Sequence, residues 1–297
     1  SVTIPDGVDE VTVEIWGPGG AGYHSINTNG TSGPTGCVGA SHVFRGVATT
    51  FTGSGINMTA QSGQCGYKTG SNSYSGGAGG TASATGSLIK TGSTVTTSGA
   101  SGGAGTGPQF QPPVEQCQNS QYSMVRGTAG GAGGSGGGAS SGGAGGSGGG
   151  AGSAGVLSSG DISGCEGNSN YSPSSSSVPK DGAFGGNGSN GAWPGGGGGG
   201  AGGRGGMSDI NDSFFLCSWS GNGSACNGTK GYPGGGGGGY AKATLTNLSG
   251  NTFTFTVGSA YRNDEIKTCV DGNYYGCSSS VKSGWGAHGG VRVIYIQ

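Results

Sequence analysis

The residues able to do acid–base, nucleophilic or metal chemistry are few and scattered. The three histidines, His24, His42 and His288, stand in no HExxH or HxE spacing, so they offer no zinc pair of known type. Carboxylates come closest together at Asp264-Glu265 with Asp271, and at Asp209-Ile210-Asn211-Asp212-Ser213. A hard cation needs several oxygen ligands, and the second run matches a calcium loop poorly, so it reads as a solvated polar loop. Strings of GxSxG and GxGxxG type follow from the abundance of Gly and Ser, and the GxxxxGK[ST] phosphate loop does not occur. The sequence therefore predicts no catalytic residue, no metal, no cofactor and no enzyme.

Two other residue types carry chemistry of a structural kind. The eight cysteines are Cys37, Cys65, Cys117, Cys165, Cys217, Cys226, Cys269 and Cys277. An even number, without CxxC pairs or the close doublets of a zinc site, predicts disulfides in an oxidising compartment. Short separation favours Cys217 with Cys226 and Cys269 with Cys277, and leaves the other four open. The sequon N-x-[ST] occurs at Asn29, Asn57, Asn170, Asn187, Asn211, Asn222, Asn227 and Asn247. Chance in so Ser- and Thr-rich a chain explains part of this number. Together with the cysteines, the sequons predict a secreted, extracellular glycoprotein with covalent glycans on exposed loops. A start at Ser1 rather than Met reads as a processed form. Among the aromatics, Trp193, Trp219 and Trp285 lie in glycine-flanked loops, where rings can close a sparse core, seal a subunit contact or stack on sugars.

The background to these residues is extreme. Of 297 residues 79 are Gly and only 8% are charged, with a net charge of -1. The twelve basic residues are scattered, which gives no footprint for nucleic acid, and no run of about 18 apolar residues predicts membrane insertion. So few large aliphatics predict a small core, yet a disordered chain would carry high net charge, which is absent.

The elements that must hold these groups are β at both ends. Val2, Ile4, Val11, Val13 and Ile15 alternate around Pro5-Asp6-Gly7, which predicts a half-buried hairpin of 2–4 with 11–16. Residues 240–245 are expected to pair with 252–257, placing Phe253, Phe255 and Val257 on one face and threonines on the other. Residues 291–296 lack alternation and predict a strand buried on both faces or meeting a partner. Between about 62 and 239 glycine takes over. From Ala129 to Gly155, Ala129, Ala132, Ser135, Ser141, Ala144, Ser147 and Ser153 fall in one phase of three while the other two phases are nearly all Gly. Three residues per turn is the period of a polyproline-II-like helix, which makes no internal hydrogen bonds and must bond laterally. Collagen fails, because Ala139 and Ala151 interrupt the triplet and the stretch has no proline. The expected fold is mostly β and irregular with little or no α-helix. In a single domain over 1–297, a small antiparallel β frame (about 1–61 and 240–297) holds a large glycine-rich insertion (about 62–239) of polyglycine-II-like segments, stapled by disulfides.

Four motifs carry a family resemblance: Thr3-Ile4-Pro5 with Gly7-Val8; Val11-Thr12-Val13 leading to Trp16-Gly17-Pro18-Gly19-Gly20-Ala21-Gly22; Pro233 with Gly234 to Gly239 and Tyr240-Ala241; and Gly289-Gly290-Val291-Arg292-Val293. In this order, over about 60 residues, they resemble the glycine-rich domains of phage tail-fibre proteins and of various secreted proteins. The resemblance implies a β frame carrying glycine-rich loops, in some members stacked as polyglycine-II helices, with fibre-building or surface-recognition roles and no catalysis. The cysteines and sequons depart from phage members.

These observations predict an extracellular structural protein that assembles with itself into a glycosylated fibre or filament. An adhesin or fibre tip recognising surface glycans is the alternative. An ice-binding antifreeze protein is a third, although Thr91, Thr94, Thr96 and Thr97 keep no fixed interval.

Overall fold

In the computed structural model, the described residues are 1–23, 46–70, 73–105, 123–125, 187–200, 209–211, 232–260 and 284–295. They form thirteen strands: β1 (Val2–Thr3), β2 (Glu10–Trp16), β3 (Thr49–Gly53), β4 (Ile56–Ala60), β5 (Tyr67–Gly70), β6 (Ser73–Ser75), β7 (Ala82–Gly86), β8 (Val95–Thr97), β9 (Ser123–Val125), β10 (Asp209–Asn211), β11 (Tyr240–Thr246), β12 (Thr252–Thr256) and β13 (Gly290–Tyr295). Every strand pairing is antiparallel, and no α-helix occurs among the described residues.

Two sheets carry the core. A four-stranded sheet runs β13-β2-β11-β8, and a five-stranded sheet runs β1-β12-β3-β4-β7. The inward phase of each strand is apolar. Val11, Val13 and Ile15 of β2 and Ala241, Ala243 and Leu245 of β11 come from the first sheet; Phe51 of β3, Met58 of β4 and Phe253 of β12 come from the second. Phe51 and Phe253 stack with ring centres 5.1 Å apart. One apolar face from each sheet, closed on a shared core, is the packing of a β-sandwich. Small Ala side chains on β11 suit a chain with few large residues to spend.

The strand positions agree with the alternation in the sequence, but several partners differ. Residues 2–4 and 11–16 form no hairpin: Val2 pairs with Phe253, while β2 pairs with β11 and β13 in the other sheet. The turn at Pro5-Asp6-Gly7 exists, with Val8 N–H donating to Pro5 O and Gly7 at φ +84°. It carries the chain across the sandwich because Ile4, just before it, is sealed in the core. The same holds at 247–251, where buried Leu248 pulls the turn inward. There β11 and β12 part to different sheets instead of pairing. Phe253 is buried as its phase requires, whereas Phe255 and Val257, on the same phase, overhang the core and are exposed. The strand buried on both faces is β2, not the C-terminal one: β13 is the outer strand of its sheet, with Ile294 40% and Tyr295 42% exposed. Consecutive strands do pair at β5–β6 and at β3–β4, where the two-residue loop Ser54-Gly55 has positive φ at both positions, as a type I′ turn requires.

Two strands of the core sheets, β7 and β8, come from within the stretch 62–239, as do β5, β6, β9 and β10 of the two small sheets. Residues 209–211, read from sequence as part of a polar loop, pair as β10 with β9. The regular glycine stretch 129–155 lies outside the described residues.

Candidate functional site

Continuous with the strand ends are extended segments that belong to neither sheet and bond to one another through the backbone. The chain 233–239, which leads into β11, is the most fully bonded. Every N–H from Gly234 to Gly239 donates, and the acceptors rotate with a period of three. Gly234 and Gly237 donate to Gly103 and Ala100, Gly235 and Gly238 to Gly198 and Gly195, and Gly236 and Gly239 to Gln64 and Gln61. Its carbonyls accept in turn from 17–23, through Gly17, Gly20 and Tyr23, and from Gly77 and Gly80. Five different stretches therefore surround 233–239, each at direct backbone contact. A side chain would not fit: a Cβ on Gly236 would lie 2.1 Å from Ala78 O, and one on Gly238 1.8 Å from Gly17 O.

Where these segments meet the four-stranded sheet, its outer face carries a buried charge. Glu14, at the centre of β2, stands opposite Lys242 on one side and Arg292 on the other. Its carboxylate is 3% exposed and fully engaged: Tyr240 Oη donates to Oε1 at 2.7 Å, and the Arg292 guanidinium donates to Oε2 through Nε and Nη2. Arg292 also lies over the Trp16 ring, 5.7 Å from its centre, and Trp16 packs on Tyr240 at 5.3 Å. Burial first, and then the bond to the Glu14 carboxylate, hold the Tyr240 hydroxyl well above the ordinary phenol range. This seam ties β13, β2 and β11 together across their outer face. It was not read from the sequence, although Glu14 within the apolar run Val11 to Trp16 and Arg292 within Val291 to Ile296 are the signal that could have found it.

Trp193 and Trp285 belong to adjoining segments. Gly191 N–H donates to Trp285 O, and the Asn190 side chain accepts from Trp285 N–H at 2.8 Å. Trp193 is 67% exposed, yet it is held by its indole N–H on Gly289 O at 3.0 Å. Its peptide bond to Pro194 is cis, and both residues cover Gly290, where a Cβ would lie 3.1 Å from Trp193 Cζ2. Trp219 lies outside the described residues.

The outer face of the five-stranded sheet has a different character. The registers align Thr256, Thr50, Thr59 and Ser83 in one row across four strands. A second row is Thr254, Thr52, Asn57 and Thr85, and Thr252 beside Thr3 begins a third. No charged residue interrupts the rows. The sequence reading placed threonines on the outer face of 252–257 but did not extend this to the neighbouring strands.

Of the predicted disulfide residues only Cys65 is described. It is buried against Ala21 and disulfide-bonded; Cys37, Cys117, Cys165, Cys217, Cys226, Cys269 and Cys277 lie outside the described residues. Of the sequons, Asn57, Asn187 and Asn247 are exposed. Asn211 sits in β10, and Asn29, Asn170, Asn222 and Asn227 lie outside the described residues. Among the described residues there is no group of three His, Cys, Asp or Glu able to hold a metal, and no helix long and apolar enough to cross a membrane. His288 accepts through Nδ1 from Ala260 N–H, a structural contact; His24 and His42 lie outside. No protein-family model, no curated protein and no solved structure matches the chain.

Proposed function

We propose that this chain is an extracellular, non-enzymatic structural protein that assembles with itself into a glycosylated fibre, its β frame and disulfides holding a bundle of polyglycine-II-like segments. The observation that carries this reading is the rotation of donors along Gly234 to Gly239, in which three successive N–H groups serve three different neighbours. A threefold extended helix surrounded by like helices bonds in this way, and a strand in a sheet does not. The glycine-rich stretches within 62–239, including the triplet phase at 129–155, supply further segments of the same kind. The resemblance of the chain ends to glycine-rich domains of fibre proteins points the same way.

Such a bundle has no intrinsic outer limit, since a segment on its surface keeps N–H and C=O groups able to bond to another chain. The outer strand β13 adds a second contact, since among the described residues no strand pairs with its far edge and Ile294 and Tyr295 are exposed, the usual template for pairing between copies. Trp193 stands over Gly290, where β13 begins, and fits a subunit contact. Full-length secreted protein should form filaments by negative-stain microscopy, and the double substitution Ile294→Lys/Tyr295→Lys should abolish them while changing folding stability by less than about 1 kcal/mol, as surface changes do. A monodisperse wild-type monomer at high concentration, without filaments, overturns the reading.

A further inference from the structure

The uncharged outer face of the five-stranded sheet poses a physical problem. It is exposed to half-buried and lined with hydroxyls, and it has β1 and β7 as its outer strands. Natural sheets protect such surfaces from stacking and edge pairing with Lys, Glu or Pro, and none of these stands in its rows. What stands in its second row, on β4 one strand in from the edge, is Asn57 of the sequon Asn57-Met58-Thr59. The geometry points to Asn57 as an occupied N-glycosylation site, whose glycan covers the threonine rows and keeps this face out of assembly. The inference rests on the secretory part of the proposed function and not on the formation of filaments.

Three observations bear on Asn57. It lies in a regular strand, where residues i and i+2 share a face, so that Asn57 and Thr59 both point outward while Met58 fills the core. The Thr59 hydroxyl donates to the Asn57 amide oxygen at 3.4 Å, and Asn57 remains exposed. Thr52 and Thr85 stand directly opposite it on the two adjoining strands, about 4.8 Å to either side, and the row of Thr50, Thr59 and Ser83 lies about 6.8 Å further along. A first sugar on Asn57 therefore has hydroxyl partners on both sides. By contrast, Asn247 lies in no strand and occupies the tight corner at φ +58°.

The chemistry is transfer from a lipid-pyrophosphate-linked oligosaccharide. The Asn57 Nδ2 forms a bond to the anomeric carbon while the bond from that carbon to the pyrophosphate oxygen breaks. The lipid pyrophosphate leaves with the electron pair, and the amide proton passes to a base of the transferase. A bulky, hydrated glycan on β4, one strand in from the edge, excludes face-to-face stacking and leaves β13 and the glycine segments as the surfaces free to join copies.

The test is a glycopeptide map of the secreted full-length chain, deglycosylated in heavy-oxygen water so that each occupied asparagine is converted to labelled aspartate. Label at position 57 is expected in the wild type and in Thr59→Ser, which keeps the sequon, and its complete loss in Thr59→Ala, with an unchanged urea midpoint for both variants. A bare Asn57 in material whose other sequons are labelled overturns this inference alone. No label at any of the eight overturns the secretory reading with it. A bare Asn57 in protein that inhibits ice recrystallisation would assign the threonine rows to ice and equally refute the glycan.

Discussion

Replacing Gly238 by Ala isolates what the glycine segments require. The new Cβ would lie 1.8 Å from Gly17 O, and a carbon–oxygen contact settles at about 3.3 Å, so 233–239 and 17–23 must separate by about 1.5 Å. The bonds that cross or adjoin this point are Gly238 N–H to Gly195 O at 2.8 Å, Gly239 N–H to Gln61 O at 3.1 Å and Gly17 N–H to Gly239 O at 2.8 Å. A shift of that size carries them past hydrogen-bonding range. Three bonds at about 1 kcal/mol each, and about 1–2 kcal/mol for donors left buried without acceptors, are offset by about 0.7 kcal/mol because Ala stiffens the unfolded chain. The net loss is about 3–4 kcal/mol, or about 10 °C in Tm for a chain of this size. Gly92→Ala is the control. Gly92 has nothing within 4 Å of its Cβ position but sits at φ +76°, so only left-handed strain of about 1 kcal/mol should appear. Urea unfolding followed by circular dichroism measures both. A Gly238→Ala variant no less stable than Gly92→Ala would refute direct backbone contact as the basis of the bundle.

Two further outcomes follow from the seam around Glu14. Arg292→Gln leaves a carboxylate that is almost wholly buried with Tyr240 as its main partner. Because the arginine side is half exposed, the loss should fall at or below the low end for a broken buried pair, about 2–3 kcal/mol by urea unfolding, and Glu14→Gln in the same chain should recover much of it. Tyr240 has its phenol pKa raised in the folded state, so the folded chain holds its proton more tightly than the unfolded one. That stabilisation is present in full below about pH 10, the unfolded phenol value, and is lost as pH rises toward the folded value. Stability should therefore fall above about pH 10, less steeply in Tyr240→Phe, as followed by urea midpoints across an alkaline series.

Strand positions were legible because alternation depends only on which face of a strand is buried, and Val11, Val13 and Ile15 or Thr252, Phe253 and Thr254 state that locally. Partners were not, since pairing depends on where the chain goes after each turn. Pro5-Asp6-Gly7 has the composition of a hairpin turn, and only the burial of Ile4 in the opposite layer makes it a corner. The partner of Val2 is 251 residues away at Phe253, beyond the reach of any local rule. The run 129–155, which carries the threefold period in the sequence, lies outside the described residues, and the described segments whose donors rotate are short pieces following strands, such as 17–23 and 76–80, each too brief to show a period alone. The outer seam was hidden for another reason: a single Glu and a single Arg in apolar strands each read as a solvated position until the register sets them side by side.

The rotating donors along Gly234 to Gly239 also constrain how such a chain can change its length. With three residues per turn, inserting one residue swings every later N–H by about 120° and points it at the wrong neighbour, and inserting two does the same in the other direction. Inserting three restores the phase and merely lengthens the rod. Segments without side chains have nothing else to hold register, so a protein of this kind can gain or lose bundle residues only in threes, while the loops that join its segments are free to drift.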